Sequence, residues 1–266
     1  MSEDLQVIAA SFDQRAARYA TSDWHRLYAE RFVELAPLEA GLRVLDAGAG
    51  TGFATLAIAR RVGPTGRVLA VDVSAGMLTE LRSAAATAGL SHIDVLQAGA
   101  TGLEALATAS FDVVLCSSAL LYMSAPDALR EWHRLLKPHG LVGFSTMCAD
   151  SPLPGRMFRD CATSFGLTLE DPSAVVGSEE RCRNALHAAG FSDITVSAGE
   201  IHLSLADLEA AWESNLRSAA HAPVRALTIE DQDVFRSRYE AMLKRALLED
   251  ERAVTRVDVL FAFGRK

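Results

Sequence analysis

The sequence predicts an α/β fold built on a doubly wound, mostly parallel sheet, and three observations support this. Short runs rich in branched apolar residues alternate with longer helical stretches between residues 41 and 146, an alternation typical of parallel βαβ units. A glycine-rich turn follows the first of these runs. An acidic residue, Asp72, ends the second run, the position at which such sheets bind ligands.

The predicted elements begin with residues 1–40, which are expected to be helical because apolar and aromatic side chains recur there at spacings of three or four. Five strand–helix steps follow in about 105 residues, as in a doubly wound sheet. The predicted strands cover residues 42–45, 68–71, 93–96, 112–116 and 141–145, and the predicted helices cover 53–61, 74–88 and 126–136, the last ended by Lys137 and Pro138.

The pattern changes after Ser145. Prolines and glycines between residues 147 and 177 predict a loop-rich segment with one short helix. Further helices are predicted over 179–189, 205–219 and 229–248, with strands near 193–196 and over 257–263, which makes seven strands in all. Since neither repeats nor a linker are visible, residues 1–266 are predicted to form one domain, with a helical cover (1–40), a core (41–146) and a second cover with the final strands (147–266).

Composition narrows the classes of partner. The chain has 26 Lys and Arg against 34 Asp and Glu, a net charge of −8 without a basic cluster, so no nucleic-acid partner is expected. The start MSEDLQ lacks the features of a secretion signal, and no apolar run is long enough to cross a bilayer, so we expect a cytoplasmic protein without stable membrane insertion. The four cysteines lack C-x-x-C spacing and are expected to be reduced and packed. No feature indicates an oligomeric state.

The run VLDAGAGTG at residues 44–52 joins the first strand to the following helix. Glycines there allow a sharp turn and the close approach of a ligand. A dinucleotide fingerprint requires G-x-G-x-x-G/A, but the third position is Phe53 when counted from Gly48 and Thr55 when counted from Gly50. The turn therefore suits a ligand with an amino acid group better than a pyrophosphate, and a nicotinamide-dependent dehydrogenase is the disfavoured alternative.

Asp72 in VDV ends the second predicted strand. A carboxylate at this point can accept hydrogen bonds from both hydroxyls of a ribose. The alternative is that Asp72 caps the next helix, but Ser74 can also serve as that cap. Ribose binding is therefore the preferred interpretation.

Several segments of the chain, taken in sequence order, resemble the motifs of class I S-adenosylmethionine-dependent methyltransferases. VLDAGAGTG is similar to their motif I and VDVSAGML to their acidic loop, while FDVVLCSSALLYM, LREWHRLLKPHGLVGFST and HAAGFSDITV resemble later strands and turns. The opening FDQRAARYATSDW looks like the N-terminal helix of the small-molecule branch typified by ubiquinone and menaquinone methyltransferases. The resemblance covers most of residues 10–200. It implies a Rossmann-like seven-stranded sheet whose last strand is antiparallel, with a helical cover.

The resemblance also implies a cofactor, S-adenosyl-L-methionine, and a small-molecule methyl acceptor as partner. Gly48, Ala49 and Gly50 would approach the methionine part of the cofactor, while Asp46 would hold the turn and help to orient the ammonium group. The other implied contacts are Asp72 on the ribose, Val73 and Met77 beside the adenine, Ala100 and Thr101 at the adenine edge, Cys116 and Ser117 near the sulfonium, and Tyr19 over the carboxylate.

Two positions depart from the family pattern. The family often has an acidic residue before Ala100 to bind the adenine amino group, and this chain has Gly99. His139 precedes Gly140 where a glycine pair is usual, and we expect this histidine to be solvated on a turn.

The implied reaction is methyl transfer to an oxygen, nitrogen or carbon nucleophile of a small molecule, as in biosynthesis. The seven histidines have no i, i+4 pair and no accompanying carboxylate cluster, so no metal site is predicted and transfer is expected to be independent of Mg²⁺. No catalytic residue is assigned. A methyltransferase-like protein that binds the cofactor without transferring methyl, such as a cyclase or a partner subunit, is the main alternative.

We also expect the methyl acceptor to bind in a largely apolar pocket. The alternative is that the residues expected to line this pocket pack in the core instead. For a hydroxyl acceptor, His25 and Tyr122 are the candidate bases, and His25 is favoured because an ordinary histidine pKa of about 6.5 lies near working pH. The expected lining is Trp24, Tyr28, Tyr122, Met123, Met157 and Phe158.

Overall fold

A computed structural model describes residues 3–266 and confirms the α/β prediction. A single sheet contains all of the long strands. In chain order these strands are β1 (Arg43–Ala47), β2 (Arg67–Asp72), β3 (Ile93–Gln97), β4 (Phe111–Ser117), β5 (Leu136–Met147), β6 (Ser192–His202) and β7 (Arg256–Arg265).

The strand order across the sheet is β3-β2-β1-β4-β5-β7-β6. Strands β1 to β5 pair in parallel, whereas β7 is antiparallel to both β5 and β6. The prediction of an antiparallel last strand is thus confirmed. Because the order reverses between β1 and β4, a crevice opens at the carboxyl ends of these strands.

Helices cover both faces of the sheet and one end of it. Helices α4 and α5 connect the first three strands, α6 leads into β5, and α8 leads into β6. The remaining helices lie before β1 and between β5 and β7. The helices are α1 (Glu3–Asp13), α2 (Ala16–Tyr19), α3 (Asp23–Leu35), α4 (Phe53–Val62), α5 (Ala75–Thr87), α6 (Ala125–Leu135), α7 (Leu153–Thr163), α8 (Glu179–Ala188), α9 (Leu205–Glu209), α10 (Ala211–Leu216), α11 (Ala222–Arg225) and α12 (Ile229–Thr255).

The central strands are apolar on both sides, as a parallel sheet covered on both faces requires. Successive residues of β1 illustrate this, since Val44 packs in the cluster containing Phe32 and Ile58, and Leu45 packs in the cluster containing Trp132. Both β1 residues are fully buried. The sheet is therefore a rigid platform for the residues at its carboxyl edge.

Among the predicted elements that differ from the structure, two do so because their sequence signal is weak. The single helix predicted over 205–219 is wrong: the chain bends at Ala210 (φ −88°, ψ 0°), and two short helices bring Leu208 and Trp212 into the core of the cover. The strand predicted near 193–196 extends over β6. Its residues are exposed or half-buried, so hydrogen bonding to β7, rather than a buried apolar face, determines its length.

The cover formed by α7 and α9–α12 has its own apolar core. Phe158 is completely buried in it, with its ring centroid 4.9 Å from that of Phe235, 5.3 Å from that of Tyr239 and 5.6 Å from that of Trp212. Edge-to-face and tilted aromatic pairs of this kind stabilise packing beyond area burial alone. The cover is thus an ordered layer packed against the end of the sheet.

Candidate active site

A cavity of about 580 Å³ lies at the carboxyl edge of the sheet. Residues that follow β1, β2, β3 and β4 form one wall, while the N-terminal helices and part of the cover (α7, α9, α10 and the turn after α10) form the others. Of the predicted cofactor contacts, Asp46, Ala49 and Cys116 lie behind the wall. Those that line the cavity are Tyr19, Gly48, Gly50, Asp72, Val73, Met77, Ala100, Thr101 and Ser117.

The turn after β1 depends on glycine. Gly48 has φ +81°, and a Cβ there would run into the Cβ of Ala119. Gly50 has φ +53° with open space where a Cβ would point. The amides of Gly48 and Ala49 both donate to the carbonyl oxygen of Val71, at 2.8 and 2.9 Å. The amides of Gly48 and Ala49 are therefore engaged within the protein, and the turn presents the open side of Gly50 to the cavity.

The carboxylate of Asp72 is fixed between the turn and helix α5. Its Oδ2 accepts a hydrogen bond from the amide of Gly50 at 2.8 Å, and its Oδ1 accepts one from the amide of Ser74 at 2.9 Å. Burial raises the pKa of Asp72, and these backbone donors oppose that rise. Ser74 is the helix cap, since its Oγ accepts from the amide of Met77 at 3.0 Å. Asp72 is thus free of the capping role that was its alternative.

Asp46 is buried beneath the turn. Its Oδ2 accepts a hydrogen bond from Oγ1 of Thr55 at 2.5 Å, and its Oδ1 has no protein partner among the described residues. Burial raises the pKa of Asp46 to about 7, which the Thr55 hydroxyl opposes and Asp72 reinforces. A carboxyl group of this kind is sensitive to any positive charge that arrives above it.

The wall at the third and fourth strands is held from behind. The carbonyl of Ala100 accepts a hydrogen bond from Nε1 of Trp132 at 3.0 Å. Cys116 is completely buried in the core below the wall, and its burial raises the pKa of the thiol. Gly99 lies where α1 approaches, because a Cβ there would be 3.2 Å from Cδ1 of Leu5. His139 is exposed, as expected, but it lies within β5 rather than on a turn, with φ +64° in the irregular first part of that strand.

The N-terminal helices close the cavity over the sheet. Oδ1 of Asp13 accepts hydrogen bonds from Oγ of Ser74 at 2.5 Å and from the amide of Gly76 at 2.8 Å. The ring of Phe12 meets that of Tyr122 edge to face, with centroids 5.1 Å apart. These contacts tie α1 to both sides of the crevice.

Arg15 is a cavity residue that the sequence analysis missed. It lines the cavity one helical turn before Tyr19. Its Nε donates to the carbonyl of Ser11 at 3.1 Å, and its guanidinium lies 4.4 Å from the ring centroid of Phe12. No carboxylate within residues 3–266 forms an ion pair with it. In the sequence, only its spacing of four residues from Tyr19 indicated that Arg15 could line the same cavity.

His25 lines the cavity but is a poor base. Its Nδ1 lies 2.6 Å from Oγ of Ser22, and its ring centroid lies 4.0 Å from that of Tyr19 and 3.6 Å from that of Trp24. Burial, reinforced by Arg15, lowers the pKa of His25 to about 3. The expectation of a pKa near working pH is therefore wrong for this residue.

The expected apolar lining is present in part. Trp24, Tyr122 and Met123 line the cavity, whereas Tyr28 and Phe158 are fully buried in the cores. Met157 packs against the core of the cover.

The side of the cavity formed by the cover also carries fixed charge, although a largely apolar lining was expected. Arg159 pairs with Asp150 at 3.1 Å and with Asp171 at 3.4 Å, and Arg159 and Asp171 both line the cavity. The cover side of the cavity therefore combines aromatic surface with polar groups held in place by neighbouring elements.

The part of the chain that the structure describes has neither a metal-binding cluster nor a membrane-spanning helix. Over residues 3–266, no group of three or more His, Cys, Asp or Glu side chains is arranged to hold a metal ion, and independence from Mg²⁺ stays a prediction. None of the described helices is both long and apolar enough to cross a membrane.

Comparison with known proteins identifies the class. A family model described as a methyltransferase domain matches residues 44–140. The ubiquinone/menaquinone biosynthesis C-methyltransferase of Pseudomonas fluorescens is 34% identical over 218 residues, 73% of this chain and 84% of that protein. Nocamycin O-methyltransferase of Saccharothrix syringae is 29% identical over 233 residues, 77% of this chain and 81% of that protein. The crystal structure of the YcgJ protein from Bacillus subtilis shares the fold, with a TM-score of 0.58 at 18% identity over 90% of this chain and 98% of that one.

The fold and the matched sequences define the chain as a Rossmann-like methyltransferase. It belongs to the S-adenosylmethionine-dependent methyltransferases, and its cofactor is S-adenosyl-L-methionine. The resemblance noted in the sequence is thereby confirmed, and the nicotinamide-dependent alternative is set aside.

Proposed function

We propose that S-adenosyl-L-methionine lies in the half of the cavity formed by the β1 turn, Asp72 and the loops after β3 and β4. Each oxygen of Asp72 accepts one backbone hydrogen bond and keeps a second lone pair, which suits the two hydroxyls of a ribose. Val73 and Met77 supply apolar surface beside this carboxylate, and Ala100 and Thr101 supply the opposite edge for the adenine. Gly50 leaves room for the sugar to approach the turn.

The amino acid part of the cofactor carries a carboxylate and an ammonium group, and the proposed partners have the complementary charges. Arg15 supplies a guanidinium without a carboxylate partner in the described chain, and Tyr19 adds a hydroxyl that burial keeps protonated by raising its pKa. Asp46, with an unpaired buried oxygen beneath the turn, supplies the negative charge that orients the ammonium. Charge-assisted hydrogen bonds of this kind are stronger than neutral ones.

The cofactor brings a methyl group on a sulfonium, which is its own leaving group. The chain has to hold an acceptor in line with that methyl group and exclude water. Asp13 ties α1 down over the site, and the cover closes the opposite side. Ser117, supported by the buried Cys116, forms the part of the wall between the two halves. The observation that carries the proposal is that one cavity contains both the cofactor wall and the cover.

The acceptor is proposed to be a small molecule that combines apolar surface with at least one polar group. Trp24, Tyr122 and Met123 offer apolar contact, and the Arg159–Asp171 pair adds fixed polar groups. The curated relatives are named for methylation of nocamycin and for ubiquinone and menaquinone biosynthesis, which supports a small acceptor from biosynthesis for this chain. Four free cysteines fit a reducing compartment such as the cytoplasm.

The test is a transfer reaction with methyl-labelled S-adenosylmethionine and a metabolite extract of the producing organism. We expect label to appear in one small component of the extract, and the Asp72→Ala enzyme to transfer little. A component that is consumed without taking up label would instead support the cyclase-type alternative. Failure to bind S-adenosylhomocysteine in calorimetry would contradict the cofactor site itself.

A further inference from the structure

His221 occupies an unusual position in the cover. It ends the short 3₁₀ turn Ala219–His221, lines the cavity, and is only 3% exposed. Its Nδ1 lies 2.8 Å from the carbonyl oxygen of Asn215. Since a carbonyl only accepts, Nδ1 must carry the proton, and Nε2 is left with a lone pair.

That lone pair has no partner. Nε2 of His221 is fully buried, and within residues 3–266 no protein group hydrogen-bonds to it. Buried polar atoms in folded proteins are nearly always paired, and the side chain of His221 belongs to the cavity lining, so a ligand group that reaches Nε2 would complete its hydrogen bonding. The missing partner must be a donor, because Nε2 can only accept in this tautomer.

The ring is held rigidly. It stacks on Phe158 with centroids 4.8 Å apart and planes at 20°. The neighbouring Arg225 donates to the carbonyls of Leu216 and Ser218, at 2.5 and 2.7 Å, which braces the segment before the histidine. The lone pair is thus presented in one orientation, as a catalytic group requires.

The charges around His221 favour its neutral form. Burial lowers its pKa below the ordinary histidine value, and Arg159 from α7 and Arg225 from α11 act in the same direction. The carbonyl of Asn215 and the carboxylate of Asp171, which precedes the 3₁₀ turn Pro172–Val175, oppose this shift. His221 is therefore available as a hydrogen-bond acceptor at neutral pH.

The other two candidate bases are less suitable. Nδ1 of His25 is engaged with Ser22, whose hydroxyl can donate or accept, so its tautomer is not determined. Burial raises the pKa of the Tyr122 phenol, so that group stays protonated at neutral pH and has no ready site for another proton. Among these three cavity residues, only His221 combines a determined tautomer with an unpaired acceptor nitrogen.

We propose that His221 accepts the proton of a hydroxyl group on the methyl acceptor, which makes the enzyme an O-methyltransferase. This rests on the proposed function. The hydroxyl oxygen forms a bond to the methyl carbon, the carbon–sulfur bond breaks with its electron pair remaining on sulfur, and the hydroxyl proton passes to Nε2 of His221. The imidazolium then returns the proton to solvent when the product leaves.

Two substitutions separate the role of a base from that of a binding group. His221→Gln can set its amide oxygen near the position of Nε2, where it accepts a hydrogen bond but cannot take up a proton. His221→Asn keeps a donor near Nδ1 and loses the acceptor. The substrate is the extract component that takes up label, and the control is His187→Gln on the exposed face of α8.

For His221→Gln we expect kcat to fall at least about 100-fold, the usual contribution of a general base, with KM within about threefold of the wild type. The acid limb of the wild-type kcat profile, at a pH below about 6.5, should be absent from this variant. His221→Asn should also raise KM. All variants should bind S-adenosylhomocysteine within twofold of the wild type. A methyl group on carbon or nitrogen in the product, or wild-type kcat in His221→Gln, overturns the proposal.

Nitrogen NMR of the histidine-labelled wild-type protein, with His221→Gln used to assign the signal, gives a second measurement that does not depend on the activity of a variant. We expect His221 to be the neutral Nδ1–H tautomer at pH 7, and an Nε2–H tautomer would overturn the proposal. If S-adenosylhomocysteine binds but no extract component takes up label, the proposed methyl transfer fails as a whole. If label is transferred with His221→Gln as active as the wild type, only the role of His221 fails.

Discussion

The amide of Gly50 donates a hydrogen bond to Oδ2 of Asp72 over 2.8 Å. This contact joins the turn after β1 to the end of β2, so two segments separated by 22 residues form one rigid edge of the cavity. Asp72 also accepts from Ser74 at the start of α5. The carboxylate therefore has two roles, the bracing of the turn and the proposed binding of the ribose.

Asp72→Ala should weaken binding of S-adenosylhomocysteine at least about tenfold, since hydrogen bonds to a charged group contribute about 1.5–3 kcal/mol each. Binding of 5′-methylthioadenosine, which keeps the ribose, should weaken by a similar factor. Isothermal titration calorimetry measures both. Asp127→Ala, at an exposed position of α6, is the control and should bind normally. If Asp72→Ala binds both ligands with unchanged affinity, the assignment of Asp72 to the ribose is wrong.

Arg15→Gln tests the proposed carboxylate contact. We expect affinity for S-adenosylhomocysteine to fall about tenfold or more, because the ligand loses a charge-assisted bond. Affinity for 5′-methylthioadenosine, which lacks the amino acid part, should not change. Calorimetry with the two ligands provides an internal control, and Arg31→Gln on the exposed side of α3 provides a second one. An equal loss for both ligands would point to a disturbed cover instead.

Gly48→Ala should be far more damaging than Gly89→Ala. Both glycines have positive φ, +81° and +67°, but only at Gly48 would the new methyl group collide, with Ala119. Gly89→Ala therefore costs about 1–2 kcal/mol of backbone strain, and Gly48→Ala adds about 1–3 kcal/mol of steric repulsion. Urea unfolding of the two variants measures the difference. Equal stabilities would show that the turn yields easily.

Asp46 should make the ligand-free protein less stable as the pH rises. Burial raises its folded-state pKa to about 7, well above that of an unfolded aspartate. The stability from the protonated form is therefore complete below about pH 4 and is lost as the pH rises toward 7, with an upper bound of about 4 kcal/mol. In urea unfolding at pH 5 and pH 8, Asp46→Asn should lose less stability than the wild type. The control is Asp160→Asn, at an exposed position of α7, which should lose as much stability between the two pH values as the wild type. If Asp46→Asn also loses as much as the wild type, the carboxyl group of Asp46 does not titrate in this range.

His25 should remain neutral throughout the working range. Its pKa of about 3, lowered by burial and by Arg15, implies no protonation between pH 8 and pH 5. Nitrogen NMR of the histidine-labelled protein, with His25→Gln used for assignment, should show one unchanging neutral signal. A titration midpoint of 6 to 7 would restore His25 as a candidate base.

Local sequence patterns were sufficient for the elements that position the cofactor site. The glycines of 48–52 and the carboxylate of Asp72 could be located because a tight turn and a strand-end acid leave a signal within a few residues. The long helix predicted over 205–219 failed because apolar spacing does not reveal a bend such as that at Ala210. The predicted length of strand β6 was too short because the residues of that strand lack a buried apolar face.

The roles of single side chains in the cover depended on long-range packing. Phe158 was expected on the cavity wall and lies in the core of the cover, where Phe235 and Tyr239, more than 70 residues away in the chain, surround it. His25 was favoured as a base on the ordinary histidine pKa, but its neighbours lower that value. The proposed roles of Arg15 and His221 depend on the structure, which shows their contacts and, within the described chain, the groups for which they have no partner.

The sequence by itself determined the class of fold, the turn after β1, the acidic end of β2 and the family, because strand alternation, glycine geometry and motif order are encoded by neighbouring residues. Only the tertiary structure decided that, within residues 3–266, Nε2 of His221 has no hydrogen-bond partner and Arg15 has no ion-pair partner, and which aromatic residues face the cavity. The physical reason is that burial, charge and hydrogen-bond partners come from residues far apart in the chain. Asn215, Phe158 and Arg159 together define the environment of His221, and no local pattern around residue 221 indicates them.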